Sequence, residues 1–266
     1  MHKLSAFIDG IGLIGPGINS WPDACNVLRG EAAYLASKTQ YPPPLLLPPT
    51  ERRRTGAVVK LAIAVGLEAI EAAGQMAAQL ATVFASSGAD TLNCHLLCET
   101  LASSDRQISP TRFHNSVANA AAGYWSIATG SMAPSTVLCS YDASFGAGLL
   151  DALTQVAADG KTCALLAYDL DYPEPLHSSR PIPDGFGVAL VFTAQQSPRS
   201  VARVEIELSH TAPTVLTNTA FEQLRTTIPA ARSLPLLRML AQREAGSVVI
   251  EYLAPLHIKI EINPCN

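Results

Sequence analysis

The sequence predicts an α/β fold, and three kinds of stretch support that prediction. Residues 81–86 and 162–168 are short apolar runs of strand length, and residues 55–73 carry apolar side chains at helical spacing. Residues 109–151 then combine a small-residue helix, a run rich in β-formers, a tight turn and a second apolar helix. Strands that alternate with helices in this way favour a sheet whose faces are covered by helices.

The composition indicates a packed globular protein. Of its 266 residues, 48% are hydrophobic and 15% are charged, which excludes a disordered chain and also fits a subunit that buries surface against a partner. The formal net charge of −4 gives no sign of nucleic-acid binding. Residues 56–74 form the longest apolar stretch, but Lys60, Glu68 and Glu71 interrupt it, so we predict a buried helix and no membrane span.

The cysteines and the first residues of the chain indicate the compartment. Six cysteines are scattered without the spacing of a disulfide framework, and no secretory leader pattern opens the sequence. We therefore expect a cytoplasmic protein. Cys94 and Cys98 lie one helical turn apart, but two thiols beside a histidine that points elsewhere make a poor zinc site, so we predict no metal.

Residues 4–8 are predicted to form the first strand, and a glycine motif follows them. Gly10, Gly12 and Gly15 match the spacing of the dinucleotide-binding fingerprint. That fingerprint needs a helix that begins inside the glycines, whereas here a Pro-Gly pair follows at once and the first helix signal waits until Ser20. We therefore predict a glycine-rich turn without a bound cofactor.

The central stretch places one side chain at the start of a helix. Phe113 and Val117 begin a helical pattern that we predict to extend over residues 110–129, and Pro134 ends it. A short strand follows, and Asp142 lies at the tight turn between this strand and an apolar helix. Strand, sharp turn and helix are a common way to present one residue at a helix N-terminus.

This stretch resembles the nucleophile region of the β-ketoacyl synthases of the thiolase superfamily. In that family a small-residue helix with N-x-x-A-G precedes Gly-Pro-Ser, a strand and then Thr-Ala-Cys-Ser-Ser. The residues at the first motif are Asn119, Ala122 and Gly123. When Pro134 and Ser135 are placed on the family's Pro-Ser, Asp142 falls on the nucleophilic cysteine. The resemblance therefore implies that the nucleophile is missing.

Cys139 is the nearest thiol to the nucleophile position. It lies three residues before that position, on the predicted strand. The strand period of two points it away from the side that Ser140 faces. Because free cysteines are usually buried and inert, we interpret Cys139 as a small buried core residue.

The resemblance continues in chain order over about three-quarters of the sequence. The family's Arg-Pro and Asp-Gly-Phe motifs have counterparts at Arg180 and Asp184. The resemblance implies an α/β, thiolase-like layered fold in a single ketoacyl-synthase-like domain of residues 1–266. Its N-terminal half would be complete (1–195) and its second half truncated (196–266).

The second half of a ketoacyl synthase carries two histidines that act together with the cysteine. Here that part is predicted to hold a strand at 201–208, helices at 219–226 and 234–243, and two strands within 247–262. The histidines all lie in other contexts, and they are His2, His95, His114, His177, His210 and His257. The resemblance thus implies an inactive homologue that is not itself an enzyme.

Short proteins of this pattern resemble the chain-length-factor partners of aryl polyene biosynthesis. The resemblance implies a heterodimer, or a dimer of heterodimers, with a full-length β-ketoacyl synthase, in which the strand 135–140 continues the partner's sheet. The helix 110–129 would close the partner's acyl tunnel. Candidate gating or interface residues are Phe113, His114, Val117, Tyr124, Trp125, Ser135, Val137 and Cys139. For each aromatic the competing interpretation is ordinary core packing, and Asp142 is expected to cap the following helix.

Arg52, Arg53 and Arg54 form a short basic run. They are either a solvated helix start or a contact for an acidic acyl carrier protein, which steers by charge. The resemblance implies no cofactor for this chain, since the partner uses an acyl-phosphopantetheine carrier protein.

Two other functions stay open at the level of sequence. One is a stand-alone acyl-transferring or decarboxylating enzyme that uses Cys139 or Asp142. The other is a thiolase-fold scaffold that binds acyl carrier protein and has no tunnel role.

Overall fold

The computed structural model describes residues 3–265, in which eight strands form one mixed sheet. The order across the sheet is β3-β2-β4-β5-β1-β6-β8-β7. The strands are β1 (Leu4–Ile14), β2 (Ala81–Ala85), β3 (Ser135–Leu138), β4 (Cys163–Asp169), β5 (Phe186–Thr193), β6 (Ala202–Ser209), β7 (Gly246–Glu251) and β8 (His257–Pro264). The predicted α/β class is confirmed.

Helices cover both faces of this sheet. They are α1 (Trp21–Leu28), α2 (Pro49–Arg52), α3 (Ala57–Ala72), α4 (Thr91–Ala102), α5 (Pro110–His114), α6 (Ala120–Thr129), α7 (Ser144–Asp159), α8 (Leu176–Ser179), α9 (Thr219–Thr227) and α10 (Leu234–Gln242). Helices α3 and α6 pack in one apolar cluster, while α1, α7, α9 and α10 pack in the other. The result is a three-layered arrangement with the strands in the middle.

Strand β1 is longer than predicted, because the glycine motif continues it instead of forming a turn. Gly10 and Gly12 lie within β1 and pair with β5. A Cβ on Gly10 would overlap the carbonyl oxygen of Ala69, and one on Gly12 would overlap that of Val65, both in α3. These glycines therefore let a helix lie directly on the strand, and no helix begins at them as a dinucleotide fingerprint requires.

The carboxyl ends of β2, β3 and β4 lie at the same end of the sheet. These three strands are parallel, whereas β5, β1, β6, β8 and β7 follow in antiparallel pairs. In sheets with parallel strands the loops that leave the carboxyl ends carry the functional residues. The turn with Asp142 follows β3 at this end of the sheet, and Asp169 is the last residue of β4 at the same end.

The C-terminal segment extends the same sheet from the far side of β1. Its predicted strands and helices are present as β6, α9, α10, β7 and β8, and β6 pairs along β1. The outer edge of β7 is covered by Thr214, whose N–H donates to the Val249 carbonyl (2.8 Å) and whose hydroxyl accepts from the Val249 N–H (2.9 Å). Within residues 3–265, no strand pairs with the outer edge of β3.

The predicted helix 110–129 is wrong as a single element, since residues 115–119 separate α5 from α6. The Asn115 side chain donates to the Arg54 carbonyl (2.8 Å), and the Ser116 hydroxyl donates to the Phe113 carbonyl (2.8 Å). Asparagine and serine side chains that bond to the backbone compete with helical hydrogen bonds. The chain therefore leaves the helix at Asn115.

In the part of the chain described here, no helix combines the length and the apolar character needed to cross a membrane.

Replacing Gly12 by alanine should lower the free energy of unfolding by about 2 kcal/mol or more, because the new methyl must displace the backbone of α3. Urea denaturation measures this change. Gly123→Ala is the matched control, since a Cβ there meets nothing within 4 Å and helix α6 gains about 0.5–1 kcal/mol. Equal stability of the two variants would contradict the close packing of β1 on α3.

Candidate functional site

A sharp turn joins the end of β3 to helix α7. Tyr141 adopts the left-handed conformation with φ 53°, which is uncommon for a residue other than glycine. The Ser144 hydroxyl accepts from the Ser140 N–H (3.0 Å) and donates to the Tyr141 carbonyl (2.8 Å), so it holds the turn closed. This turn, residues 140–144, is called the elbow below.

Asp142 in the elbow is held by two arginines. Its Oδ1 accepts from Arg180 Nη2 (2.6 Å), and its Oδ2 lies 3.1 Å from Arg232 Nη2. The expectation that Asp142 caps α7 is wrong, because α7 begins without a side-chain cap. The carboxylate turns instead to the two guanidinium groups, which carry full positive charges.

The two arginines are more buried than the carboxylate that they bind. The side chains of Arg180 and Arg232 are 14% and 17% exposed, against 42% for Asp142. The Arg180 guanidinium also lies 3.5 Å from the centre of the Tyr141 ring and 5.8 Å from that of Tyr172. Cation–π contact on one side and the ion pair on the other fix Arg180 in place.

Asp169 lies buried beside the elbow at the end of β4. Its Oδ1 accepts from the Ser87 N–H (2.8 Å), and its Oδ2 accepts from the Ala230 N–H (2.8 Å). Burial raises the pKa of Asp169 to about 6, although these donors and the charge of Arg180 act against the rise. Asp169 therefore joins the loop after β2 to the segment that carries Arg232.

Within residues 3–265, no histidine bonds to Asp142 or Asp169. Among the described residues, the groups that pair with Asp142 and Asp169 are arginines, backbone N–H groups and a serine hydroxyl. His210 instead lies 3.3 Å from the Pro255 carbonyl, and His257 begins β8. His2 lies outside the described residues.

The interpretation of Cys139 as a core residue is wrong. Strand β3 ends at Leu138, and Cys139 is exposed just beyond it. Cys139 follows the last residue of the edge strand, so within residues 3–265 no strand lies on its outer side. Partial burial of the sulfur nevertheless raises the pKa of the Cys139 thiol, and the negative charge of Asp169 adds to the rise. A thiol with a raised pKa is a poor nucleophile.

Comparison with known families decides where the chain belongs. Residues 28–250 match the family described as beta-ketoacyl synthase, N-terminal domain. The chain is a member of the β-ketoacyl synthase family. No curated protein matches the chain in sequence.

Solved structures show the same fold at low sequence identity. A ketosynthase (ApeO) in complex with its chain length factor (ApeC) from Xenorhabdus doucetiae matches with a TM-score of 0.74 at 19% identity, over 97% of this chain and 99% of that one. The ishigamide ketosynthase/chain length factor gives 0.71 at 14% identity, over 98% and 100%. A β-ketoacyl synthase from Burkholderia phymatum STM815 gives 0.67 at 11% identity over the whole of both chains. The predicted thiolase-like fold is confirmed.

The residues that the ketoacyl synthase resemblance assigned to the tunnel and interface differ in their exposure to solvent. Phe113, His114 and Val117 are exposed and line a groove of about 620 Å³ along α5 and α6. Tyr124 is buried but also lines this groove, with its ring 6.1 Å from that of His114. Trp125 is buried away from the groove, and its ring lies 6.2 Å from that of Phe84. On β3, Ser135 is exposed, while Val137 is half-buried.

The three arginines of the basic run have different surroundings. Arg52 Nη2 donates to the carbonyls of Leu45 (2.9 Å) and Leu47 (3.0 Å), so it closes the proline-rich loop that precedes α2. Arg54 is exposed and lies 3.2 Å from Glu51. Arg53 is exposed. Two of the three side chains thus face solvent, and the third has a structural role.

Sequence reasoning did not identify three members of the site. Asp169 ends β4, Tyr172 lies in the loop that follows it, and Arg232 lies in the short 3-10 helix Pro229–Ser233. None of the three stands in a motif. The one available signal was the apolar strand 162–168 followed by an aspartate, since a charge directly after a buried strand requires partners. Among the described residues, no group of histidine, cysteine, aspartate or glutamate side chains could hold a metal ion.

The buried Asp169 should make stability depend on pH. Its pKa of about 6 lies above the value of about 3.9 expected in the unfolded chain, so the folded state binds this proton more tightly. Protonation of Asp169 therefore raises the free energy of unfolding by about 2–3 kcal/mol. This contribution is complete below about pH 4 and is lost as the pH rises through about 6.

Urea unfolding between pH 4 and 7.5 measures this loss, and Asp169→Asn should remove it. That variant should also be less stable by about 1–3 kcal/mol, because an amide places a donor against a backbone N–H. Asp159→Asn, at an exposed position, is the control. The same pH dependence in the wild-type protein and in Asp169→Asn would refute the assignment.

Proposed function

We propose that this chain is a non-catalytic, chain-length-factor-like subunit that pairs with an active β-ketoacyl-ACP synthase in aryl polyene or related polyketide-type chain elongation. The observation that carries the proposal is the elbow, where two arginines bind the carboxylate of Asp142. The sequence resemblance assigns this position to the family's nucleophile. A condensing enzyme of this family needs a thiol there to hold the acyl group.

The surroundings of Asp142 argue against catalysis by another route. Each oxygen of the Asp142 carboxylate is engaged by a guanidinium group, so its lone pairs are less available to attack a thioester. The family's two histidines have no counterpart among the residues that contact it. The exposed Cys139 lies outside the elbow and has a raised pKa. These facts support a partner role over a stand-alone enzyme.

The two edges of the sheet support the position of the partner. The β7 edge is covered by Thr214, whereas the β3 edge is free within residues 3–265. An open edge with apolar side chains nearby is a template for pairing with another chain. Large apolar side chains exposed on the helices and loop beside β3 are Phe113, Val117, Ile127 and Met132. The solved complexes described above pair a ketosynthase with a chain length factor.

The groove along α5 and α6 suggests which residues bound the acyl tunnel. Phe113 is 66% exposed and His114 stands beside it, so both can face a cavity in a partner. Trp125 belongs to the core of this chain and is therefore less suited to that role. A fixed aromatic wall limits chain length because a longer chain must displace it, at a cost of about 1–3 kcal/mol.

Arg53 and Arg54 are the proposed contact for the acyl carrier protein. Both are exposed on a chain with a net charge of −4, so they form a local basic patch. Such a patch steers an acidic partner during encounter more than it adds to final affinity. Arg52 does not belong to this patch, since it bonds to the backbone of its own loop.

Phe113→Ala should lengthen the products of the complex by one or more two-carbon units, because the wall at the end of the tunnel recedes. Co-expression with the ketosynthase, size-exclusion chromatography and mass spectrometry of the products measure assembly and length separately. Leu253→Ala removes an exposed side chain far from the groove and is the control. Unchanged product lengths in an intact complex would favour a scaffold without a tunnel role.

The open edge of β3 can be tested through its backbone. The carbonyls of Pro134 and Leu138 accept from β2, so alternation directs the N–H of Val137 outward. Val137→Pro removes that donor and should abolish co-elution with the ketosynthase while the chain stays folded by circular dichroism. Val137→Thr keeps the N–H and the shape, and it should co-elute. Full assembly of Val137→Pro would show that the partner does not bind this edge.

A further inference from the structure

In the cluster at the elbow, the two arginines are largely buried and the aspartate is the charged residue nearest the solvent. Arg180 and Arg232 are largely buried, while Asp142 is close to half exposed. An ordinary surface ion pair has two exposed partners that move together. Here two tyrosine rings hold the Arg180 guanidinium, and the more exposed carboxylate lies between the two arginines.

The two arginines have donors that Asp142 does not use. Arg180 and Arg232 each approach the carboxylate through one Nη2 atom. Their Nε atoms are buried, and neither has an acceptor among residues 3–265. A guanidinium fork binds an oxyanion with two parallel bonds, so each arginine retains part of its capacity. A buried donor without an acceptor is unfavourable, which makes these two atoms notable.

The charges in direct contact at the elbow sum to one positive charge, from two arginines and one aspartate. The next acidic group, Asp169, is engaged by the N–H groups of Ser87 and Ala230 and by the hydroxyl of Ser86, and it pairs with neither arginine. Tyr141, at the mouth, is exposed and stacks on Arg180. The cluster thus combines excess positive charge, unused donors and an opening to solvent.

We infer that Arg180 and Arg232 form an oxyanion-binding site, in which Asp142 is an internal ligand that competes with a carboxylate or phosphate from outside. The external oxyanion would take the Nε and Nη2 donors of the arginines while Asp142 turns to solvent. This site goes beyond the proposed partner role and does not depend on it. A carboxylate attached to the chain competes at high effective concentration, so the wild-type protein binds free oxyanions weakly.

The test is a titration of the full chain with sodium acetate, malonate and phosphate at constant ionic strength, with chloride as the exchanged anion. Isothermal calorimetry gives Kd, and thermal unfolding gives the shift in Tm. Asp142→Ala opens the site and should bind at least tenfold more tightly than the wild-type protein. If Asp142→Ala does not fold, Asp142→Asn takes its place in the titration, because asparagine keeps the shape of the side chain and removes its charge. Asp159→Ala, an exposed change of the same charge, should behave as the wild type.

The outcomes separate the sources of the ligand. Tighter binding of acetate and malonate than of phosphate assigns the site to carboxylates, and the reverse order assigns it to phosphate groups. Adding Arg232→Ala to Asp142→Ala should remove the gain. Equal binding by wild type and Asp142→Ala, or a gain that persists without Arg232, would mean an adventitious ion only and would overturn the proposal. Assembly with the ketosynthase is measured separately, so the two proposals fail independently.

Discussion

Strand β1 is the element on which the remaining structure depends. It pairs with β5 on one side and with β6 on the other, so it joins the two parts of the chain into one sheet. Its glycines let the backbone of α3 lie directly against it, and the half-buried Glu68 of α3 accepts from the Leu13 N–H (2.9 Å). A side chain at either glycine would separate these two layers. The glycine motif has the spacing of a dinucleotide-binding fingerprint, but its role here is to allow close packing of α3 on β1.

The elbow combines a sharp backbone turn with a charged side chain. Strand β3, the left-handed Tyr141 and helix α7 form the turn. Asp142 at this turn is paired with two arginines, since a charged group near buried surface must be paired. Arg180 and Arg232 come from different parts of the chain, so the ion pair also fastens the C-terminal segment to the N-terminal one.

The two edges of the sheet explain why the chain suits an assembly. One edge ends in backbone bonds to Thr214, and the other ends at β3 with free backbone groups within the described residues. Natural proteins protect open edges because unpaired strands associate. Exposed apolar side chains lie on α5, on α6 and in the loop that leads into β3. The proposed pairing rests on these side chains together with the free edge of β3.

The order of strands and helices can be predicted from the sequence, because apolar periodicity and turn residues act over a few neighbouring positions. The sequence also located Asp142 at the elbow, since the motif around it is local. The tertiary structure decided the break at Asn115, where a side chain reaches the distant Arg54 carbonyl. It likewise decided that Phe113 is exposed and Trp125 buried, that Cys139 lies at an open edge, and that Arg232 meets Asp142. Each of these depends on which distant segment packs nearby, and no local pattern records that.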